Sequence, residues 1–176
     1  MTIELEEVIL RRPEPRDVEQ LYVYRNSWEV IRSLGGFSCG YSQKDLADWV
    51  EHHRSRPDEI IWTIASLETD RCMGHVGFYK IDNRVRSAEF AILIGDKTFW
   101  GRGLGSAITR VVLEYGYAQL NLNRIELTVL ESNAAALHIY RKLGFVQEGV
   151  LRQAQYRDGA YINVVQMALL REEFLS

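Results

Sequence analysis

The most constraining feature of this chain is a run of alternating glycines, Trp100-Gly101-Arg102-Gly103-Leu104-Gly105, set between an apolar strand and an amphipathic helix. Glycine has no Cβ, so the backbone can take positive φ and a ligand can come close to the amides. The first amides of the following helix have no partners inside it, and the helix dipole makes them partly positive. A phosphate meets both conditions, and Arg102 can add a charge-assisted contact. The same residues also suit a tight strand-to-helix turn that holds no ligand, so the turn alone does not decide a function. Two nucleotide sites are disfavoured by spacing. A P-loop needs a lysine where Gly105 is followed by Ser106-Ala107. A dinucleotide fingerprint needs G-x-G-x-x-G in a leading β-α-β unit, whereas this turn reads G-x-G-x-G and lies mid-chain after several strands.

The 176 residues around the turn fit one domain, 1–176, with no repeat, low-complexity tract or linker dividing them. Residues 3–10 read as an opening strand. Pro15-Arg16-Asp17-Val18 has proline and an acid where a helix starts, and Leu21, Tyr24, Val30 and Ile31 can form the buried stripe of one or two short helices. Residues 35–40 read as a flexible loop. Ser42 and Asp45 are spaced as a helix cap, with Leu46, Trp49, Val50 and His53 on one face of a helix that ends before Pro57. Residues 60–67, 72–81 and 88–94 read as an antiparallel meander. A helix over 104–120, a strand over 125–130 and a helix over 133–143 stopped by Gly144 follow. Residues 145–155 and 161–170 flank Arg157-Asp158-Gly159, a hairpin turn. The class expected is α+β (mixed α/β) around one central sheet.

Composition narrows the functions. A net charge of -3 argues against a nucleic-acid or anionic-membrane partner. No apolar stretch approaches the roughly 18 residues of a membrane helix, and the N-terminus has no signal-peptide pattern. Cys39 and Cys72 form no metal or disulfide pattern, so a cytoplasmic protein without metal is expected.

A second constellation follows the strand over 125–130: Glu131-Ser132-Asn133-Ala134-Ala135-Ala136-Leu137-His138-Ile139-Tyr140. Asn133 stands at a helix start, where it can cap the helix or bind the amide groups of a ligand. The alanines give a slim face on which another chain or a cofactor arm can lie close. Tyr140 lies two helical turns on, on the side of Asn133. A phenol with an ordinary pKa of about 10 can protonate a departing thiolate; a buried aromatic with a satisfied hydroxyl is the alternative. His138 reads as a surface or packing residue.

In order and spacing, these segments resemble the GNAT superfamily of acyl-CoA-dependent N-acyltransferases, and within it the group containing ribosomal-protein N-terminal, spermidine and amino-sugar acetyltransferases. The resemblance spans almost the whole chain and is carried by residues 88–94 leading into the glycine turn, by Glu131-Ser132-Asn133 with Ala136, and by Tyr140-Arg141-Lys142-Leu143-Gly144-Phe145. Trp100 departs from the arginine or glutamine that commonly opens the superfamily's loop, though tryptophan there is similar to many members of this group. The resemblance implies a mostly antiparallel sheet of about seven strands, flanked by about four helices, in which the strands over 89–94 and 125–130 run parallel and splay apart. It implies acetyl-CoA as cosubstrate, with its pantetheine arm beside Ile92, Leu93 and Ile94 and its pyrophosphate on the turn from Trp100 through Leu104 to Ser106. Asn133 and Ala136 would touch the pantetheine, and Tyr140 would stand near the sulfur as general acid. A strand amide near Ile92 can hold the oxyanion. Glu89 is the candidate base; a solvent-facing or ion-paired surface role is its alternative. The acceptor implied is a small amine (polyamine or amino sugar) or a peptide N-terminus, and a homodimer is expected. Trp28, Phe37, Tyr41 and Trp49 can line its pocket. A non-catalytic acetyl-CoA-binding module is the other reading.

Overall fold

The computed structural model describes residues 2–35 and 39–175; Phe37 and part of the loop at 35–40 lie outside them. Eight strands form one sheet: β1 (Ile3–Glu4), β2 (Val8–Arg11), β3 (Ile60–Ser66), β4 (Cys72–Asp82), β5 (Ser87–Ile94), β6 (Arg124–Leu130), β7 (Val146–Arg157) and β8 (Ala160–Leu170). Their order is β1-β2-β3-β4-β5-β6-β8-β7. All neighbours are antiparallel except β5 and β6, which run parallel. The eighth strand comes from the N-terminus, where residues 3–10 divide into a small hairpin closed by the Leu5 amide on the Val8 carbonyl at 2.8 Å. Among the described residues the helices number six: α1 (Val18–Arg25), α2 (Trp28–Ile31), α3 (Gln43–His52), α4 (Leu104–Ala118), α5 (Ala134–Lys142) and α6 (Arg171–Leu175). The short α2 and α6 exceed the expected four.

Local chemistry accounts for the element boundaries. Ser42 and Asp45 form a reciprocal capping box at α3, which satisfies two orphan amides. Leu46 and Val50 are buried on one face of that helix, and His53 is buried just beyond it. Asp158 and Gly159 both take positive φ between β7 and β8, the geometry of a two-residue type I′ hairpin. Gly144, with φ of 97°, stops α5, and the Phe145 amide returns to the Tyr140 carbonyl at 3.0 Å.

The two faces of the sheet are covered differently. The main core joins β2 to β6 and β8 with α4 and α5, through Leu10, Ile64, Phe78, Phe90, Ile108, Val112, Leu113, Ile125, Tyr140 and Leu169. At Gly116 a Cβ would lie 2.7 Å from Phe78 Cζ, so glycine lets α4 sit against the sheet. On the opposite face Leu21, Leu46 and Val50 pack with Cys72, and Tyr24 and Val30 with Leu93. That layer is fixed to the sheet by a buried ion pair. The Arg11 guanidinium grips both Asp17 oxygens at 2.8 and 2.9 Å, and the Thr63 hydroxyl donates to Asp17 at 2.8 Å. Removing one partner of such a pair strands a buried charge and costs about 3–5 kcal/mol.

His75 lies under this helical layer, 5% exposed, with its ring centroid 5.2 Å from that of Trp49 and Nδ1 3.5 Å from the Tyr79 hydroxyl. Burial, assisted by the charge of Arg25, pushes its pKa down to about 3. An unfolded histidine takes up a proton near pH 6.5, so below that pH the unfolded chain binds a proton that the native state refuses. The stability contribution is complete above pH 6.5 and is lost as pH falls toward about 3, at up to about 1.4 kcal/mol per pH unit. His75→Gln is expected to flatten the fall of Tm between pH 6.5 and 4. A thermal melt series on both proteins checks this, and equal acid sensitivity would refute it.

Candidate active site

The parallel pairing of β5 with β6 covers only Ser87 with Arg124, Ala88 with Ile125 and Glu89 with Glu126. Beyond Glu89 the strands diverge, β5 held by β4 as far as Ile94 and β6 held by β8 as far as Leu130. The result is a V that opens toward the C-terminal ends of both strands. At its closed end the Arg86 carbonyl receives the Asn123 and Arg124 amides, while at its open end the Gly95 amide donates the other way, to Met73 on the β4 side. Hydrogen-bonding direction alternates along a strand. The peptide groups of Ile92 and Ile94 therefore face into the V, and those of Leu93 face β4. One of these groups is already taken: the Trp100 indole donates to the Ile94 carbonyl at 2.8 Å. Sequence reasoning missed this bond, which ties the glycine turn to the end of β5.

Side chains alternate as well. Ala88, Phe90, Ile92 and Ile94 face the main core and α4, whereas Glu89, Ala91 and Leu93 face α1 and α2. The Glu89 carboxylate stands at the apex of the V, 2.6 Å from the Lys80 ammonium and about one-third exposed. Glu89 is thus ion-paired, the alternative raised for it, and it stands where the strands part. Lys80 reaches it from a β-bulge, with φ of 51°.

At the glycine turn, Gly101 has φ of 74° and Gly103, the N-cap of α4, φ of 79°. A Cβ at either position would meet nothing within 4 Å, so backbone conformation rather than crowding calls for glycine there. The amides of Gly101 to Gly105 have no acceptor among the described residues, and the Ser106 amide turns back to the Gly103 carbonyl at 3.1 Å. These donors at the start of a fifteen-residue helix can receive a phosphate. Arg102 is engaged elsewhere: it pairs with Glu7 at 2.5 Å and lies over the Phe99 ring.

On the other arm, Asn133 caps α5, its Oδ1 accepting from the Ala136 amide at 3.1 Å, while its Nδ2 donates to the Ser33 carbonyl at 3.0 Å. Tyr140 is 9% exposed, its ring edge-on to Phe90 and Phe145. Its hydroxyl has no partner among the described residues and retains some solvent contact. Burial pushes the phenol up to about 12, so it carries its proton throughout neutral pH. His138 is exposed on α5. Trp28 is half-exposed, Tyr41 and Trp49 pack beside Leu46, and the Arg25 guanidinium lies 4.9 Å over the Tyr41 ring.

A parallel pair that splays beside a phosphate-receiving helix start and a protonated phenol agrees with what comparison shows. Residues 7–146 match the acetyltransferase (GNAT) domain family. The chain belongs to the GNAT family. A spermidine N(1)-acetyltransferase of Escherichia coli strain K12 is 36% identical over 170 residues, 96% of this chain and 89% of that protein. An L-amino acid N-acetyltransferase of the same organism is 30% identical, covering 95% and 100%. The crystal structure of a Vibrio cholerae spermidine N-acetyltransferase in complex with CoA and spermine superposes with a TM-score of 0.89 at 26% identity, over 98% of this chain and 100% of that one.

This GNAT protein is an acetyl-CoA-dependent N-acetyltransferase of amines. The free amides of the turn, the open edge at Ile92 and the unpartnered Tyr140 hydroxyl suit acetyl-CoA as cosubstrate. Among the described residues no group of three His, Cys, Asp or Glu side chains can hold a metal, and no helix is long and apolar enough to cross a membrane.

Gly105 separates ligand from fold. Its φ is not positive, and a Cβ there would make only ordinary contacts, 3.6 Å to Ile94 and 3.8 Å to Ile139. Gly105→Ala is expected to leave Tm level or slightly higher, since alanine favours the helix, while weakening acetyl-CoA binding about tenfold by calorimetry. Gly103→Ala is expected to lower stability by about 1–2 kcal/mol through its left-handed φ.

Proposed function

We propose that the enzyme transfers acetyl directly from acetyl-CoA to a small cationic amine within a ternary complex, with Glu89 accepting the amine's proton and Tyr140 protonating the leaving thiolate. The placement of these two groups on opposite faces of one strand carries the reading. Glu89 points to the α1–α2 side of β5, whereas Tyr140 comes from α5 on the other side and touches Phe90. An amine arriving beside Glu89 and a thioester whose sulfur lies beside Tyr140 thus meet across the V. Holding both reactants in line removes much of the entropic barrier.

The thioester supplies the acyl group; the chain binds, orients and moves protons. The amides from Gly101 to Gly105, with Trp100, Leu104 and Ser106 framing them, hold the pyrophosphate. Arg102 exchanges Glu7 for a phosphate oxygen. The pantetheine pairs with the edge at Ile92 and Ile94, beside Leu93, and passes Ala136 on the slim face of α5. The peptide groups of β5 that face the V include an Ile92 amide able to receive the oxyanion. Asn133 acts as helix cap and tether instead of spending its amide on the ligand.

A cationic acceptor is supported by the row that crosses the open face. Glu59 precedes the pair Ile60–Phe78, Tyr79 pairs with Glu89, and Glu89 with Glu126, so three carboxylates lie in one cross-strand line, each beside a cation of the chain (Arg56, Lys80 and Arg124) that an acceptor ammonium would replace. The spermidine-acetylating and amino-acid-acetylating relatives both act on small amines by name; an amino sugar and a peptide N-terminus complete the acceptor panel. A homodimer through the edge strand β7, which exposes Val146, Val150 and Leu151, and residence in the cytoplasm complete the proposal. Sedimentation velocity tests the dimer.

Thiol release measured with polyamines, amino acids, amino sugars and peptide N-termini is expected to be fastest with a polyamine. Absence of thiol release with every one of these amines would leave only an acetyl-CoA-binding module. Tyr140→Phe should lower kcat by about 10²–10⁴-fold with acetyl-CoA affinity within about twofold of wild type. Because its phenol is pushed up to about 12, the wild-type rate should show no alkaline loss from Tyr140 below pH 10. Glu89→Gln should lower kcat/KM for the amine by about 10²-fold; wild-type values in that variant would remove Glu89 as the base.

A further inference from the structure

The short helix α2 and the turn after it bridge the two arms of the V. On the β5 side, Glu29 of α2 is ion-paired with Lys97, three residues past the end of the strand. On the β6 side, the Ser33 carbonyl receives Nδ2 of Asn133, the residue that starts α5 three positions after β6 ends. The Ile31 carbonyl receives Arg157 Nη1 at 3.0 Å from the tip of the β7–β8 hairpin. Between these ties Val30 is 3% exposed and packs on Tyr24 and on Leu93 of β5. Residues 28–34 are thereby fastened to four separate parts of the fold, on the sheet face opposite α4.

The chemistry at Asn133 fixes the sense of its contact. Its Oδ1 accepts from the Ala136 amide and its Nδ2 donates to a carbonyl. Exchanging the two atoms would set donor against donor and acceptor against acceptor. One side chain therefore both starts the helix that carries Tyr140 and holds the bridge. Arg157 adds a cation at the last carbonyls of α2, which the helix dipole favours.

We propose that Asn133 and Arg157 are positioning residues: they hold residues 28–34 as a strap across the acceptor side and thereby set the width of the V. This rests on the acetyl-transfer reading above. The α4–α5 side of the V is where the thioester is proposed to lie beside Tyr140, so the amine must come from the side on which the strap lies. The strap then decides how much room the acceptor has, while the glycine turn and the acetyl-CoA pyrophosphate lie apart from it.

Trypsin tests the strap without any acceptor, because the exposed Arg32 lies between the two tethered carbonyls. Two variants loosen it. Arg157→Met removes one donor. Asn133→Asp keeps an excellent helix cap and loses only the donation to Ser33. In both, cleavage after Arg32 should quicken at least tenfold, and acceptor KM (spermidine, or the best amine of the panel) should rise about tenfold. Acetyl-CoA affinity should stay within about twofold and Tm within a few degrees. Arg157→Lys, which keeps a cationic donor, should recover part of the protection. Unchanged cleavage in both variants overturns the strap. Faster cleavage with unaltered acceptor KM overturns its role on the acceptor side, and a tenfold loss of acetyl-CoA affinity in Asn133→Asp makes Asn133 a cofactor ligand instead. Failure of the acetyl-transfer reading is a distinct result: the wild type then shows no thiol release with any amine of the panel, whatever trypsin shows.

Discussion

Everything in this molecule is arranged around a sheet that is prevented from closing. The parallel contact between β5 and β6 lasts three residues, yet both strands run on for several more, each anchored by an antiparallel neighbour on its far side. Buried backbone groups demand partners, and a strand edge offers its own for pairing with another extended chain. The split is therefore a binding slot made of main chain. Its walls stay apart because α4 and α5 fill one face and α2 spans the other, with Val30 wedged on Leu93.

That architecture separates the two groups proposed to move protons. Tyr140 stands in an aromatic surround of Phe90 and Phe145, where burial favours the neutral phenol. Glu89, one residue before Phe90, emerges on the opposite face among charged and solvated neighbours. The alternation of a β-strand accomplishes this within two consecutive residues. A helix in the same place would set neighbours about 100° apart and could not divide them so cleanly.

What was legible in the amino-acid order was mostly what is local. The capping box at Ser42 and Asp45, the Asp158–Gly159 hairpin turn, the Gly144 stop and the glycine turn before α4 each depend on residues within a few positions. The core stripes of α3 and α4 were equally readable, because helical spacing is a local pattern. The contacts that shape the site are long-range. Trp100 reaches back to the Ile94 carbonyl through a fold-back that its own identity did not announce. Arg102 meets Glu7 across 95 positions, and Asn133 meets Ser33 across 100. Residues 3–10 read as one strand because Glu6-Glu7 brings no glycine or proline to announce a turn, whereas the turn after Leu5 is held by partners distant in sequence as well as by β1, the Leu67 amide donating to the Glu7 carbonyl. The acetyl-CoA assignment came from several local motifs recurring in a familiar order, not from any one of them. The identity of the amine depends on the bridging segment and hairpin tip, which are assembled only in three dimensions.

The Arg102–Glu7 pair gives the glycine turn an unusual electrical character. Until Arg102 leaves Glu7 its charge is balanced by a carboxylate, so an anion that arrives there is met first by main-chain dipoles. The field of a dipole fades faster with distance than that of a net charge, and contacts at hydrogen-bond range lie well inside the Debye length of about 8 Å at physiological salt. Mobile ions have little opportunity to screen them. A phosphate first met in this way is recognised with little dependence on ionic strength, before the exchange of Glu7 for phosphate on Arg102 brings in a net charge. Attraction begins only at contact, and there it depends on shape.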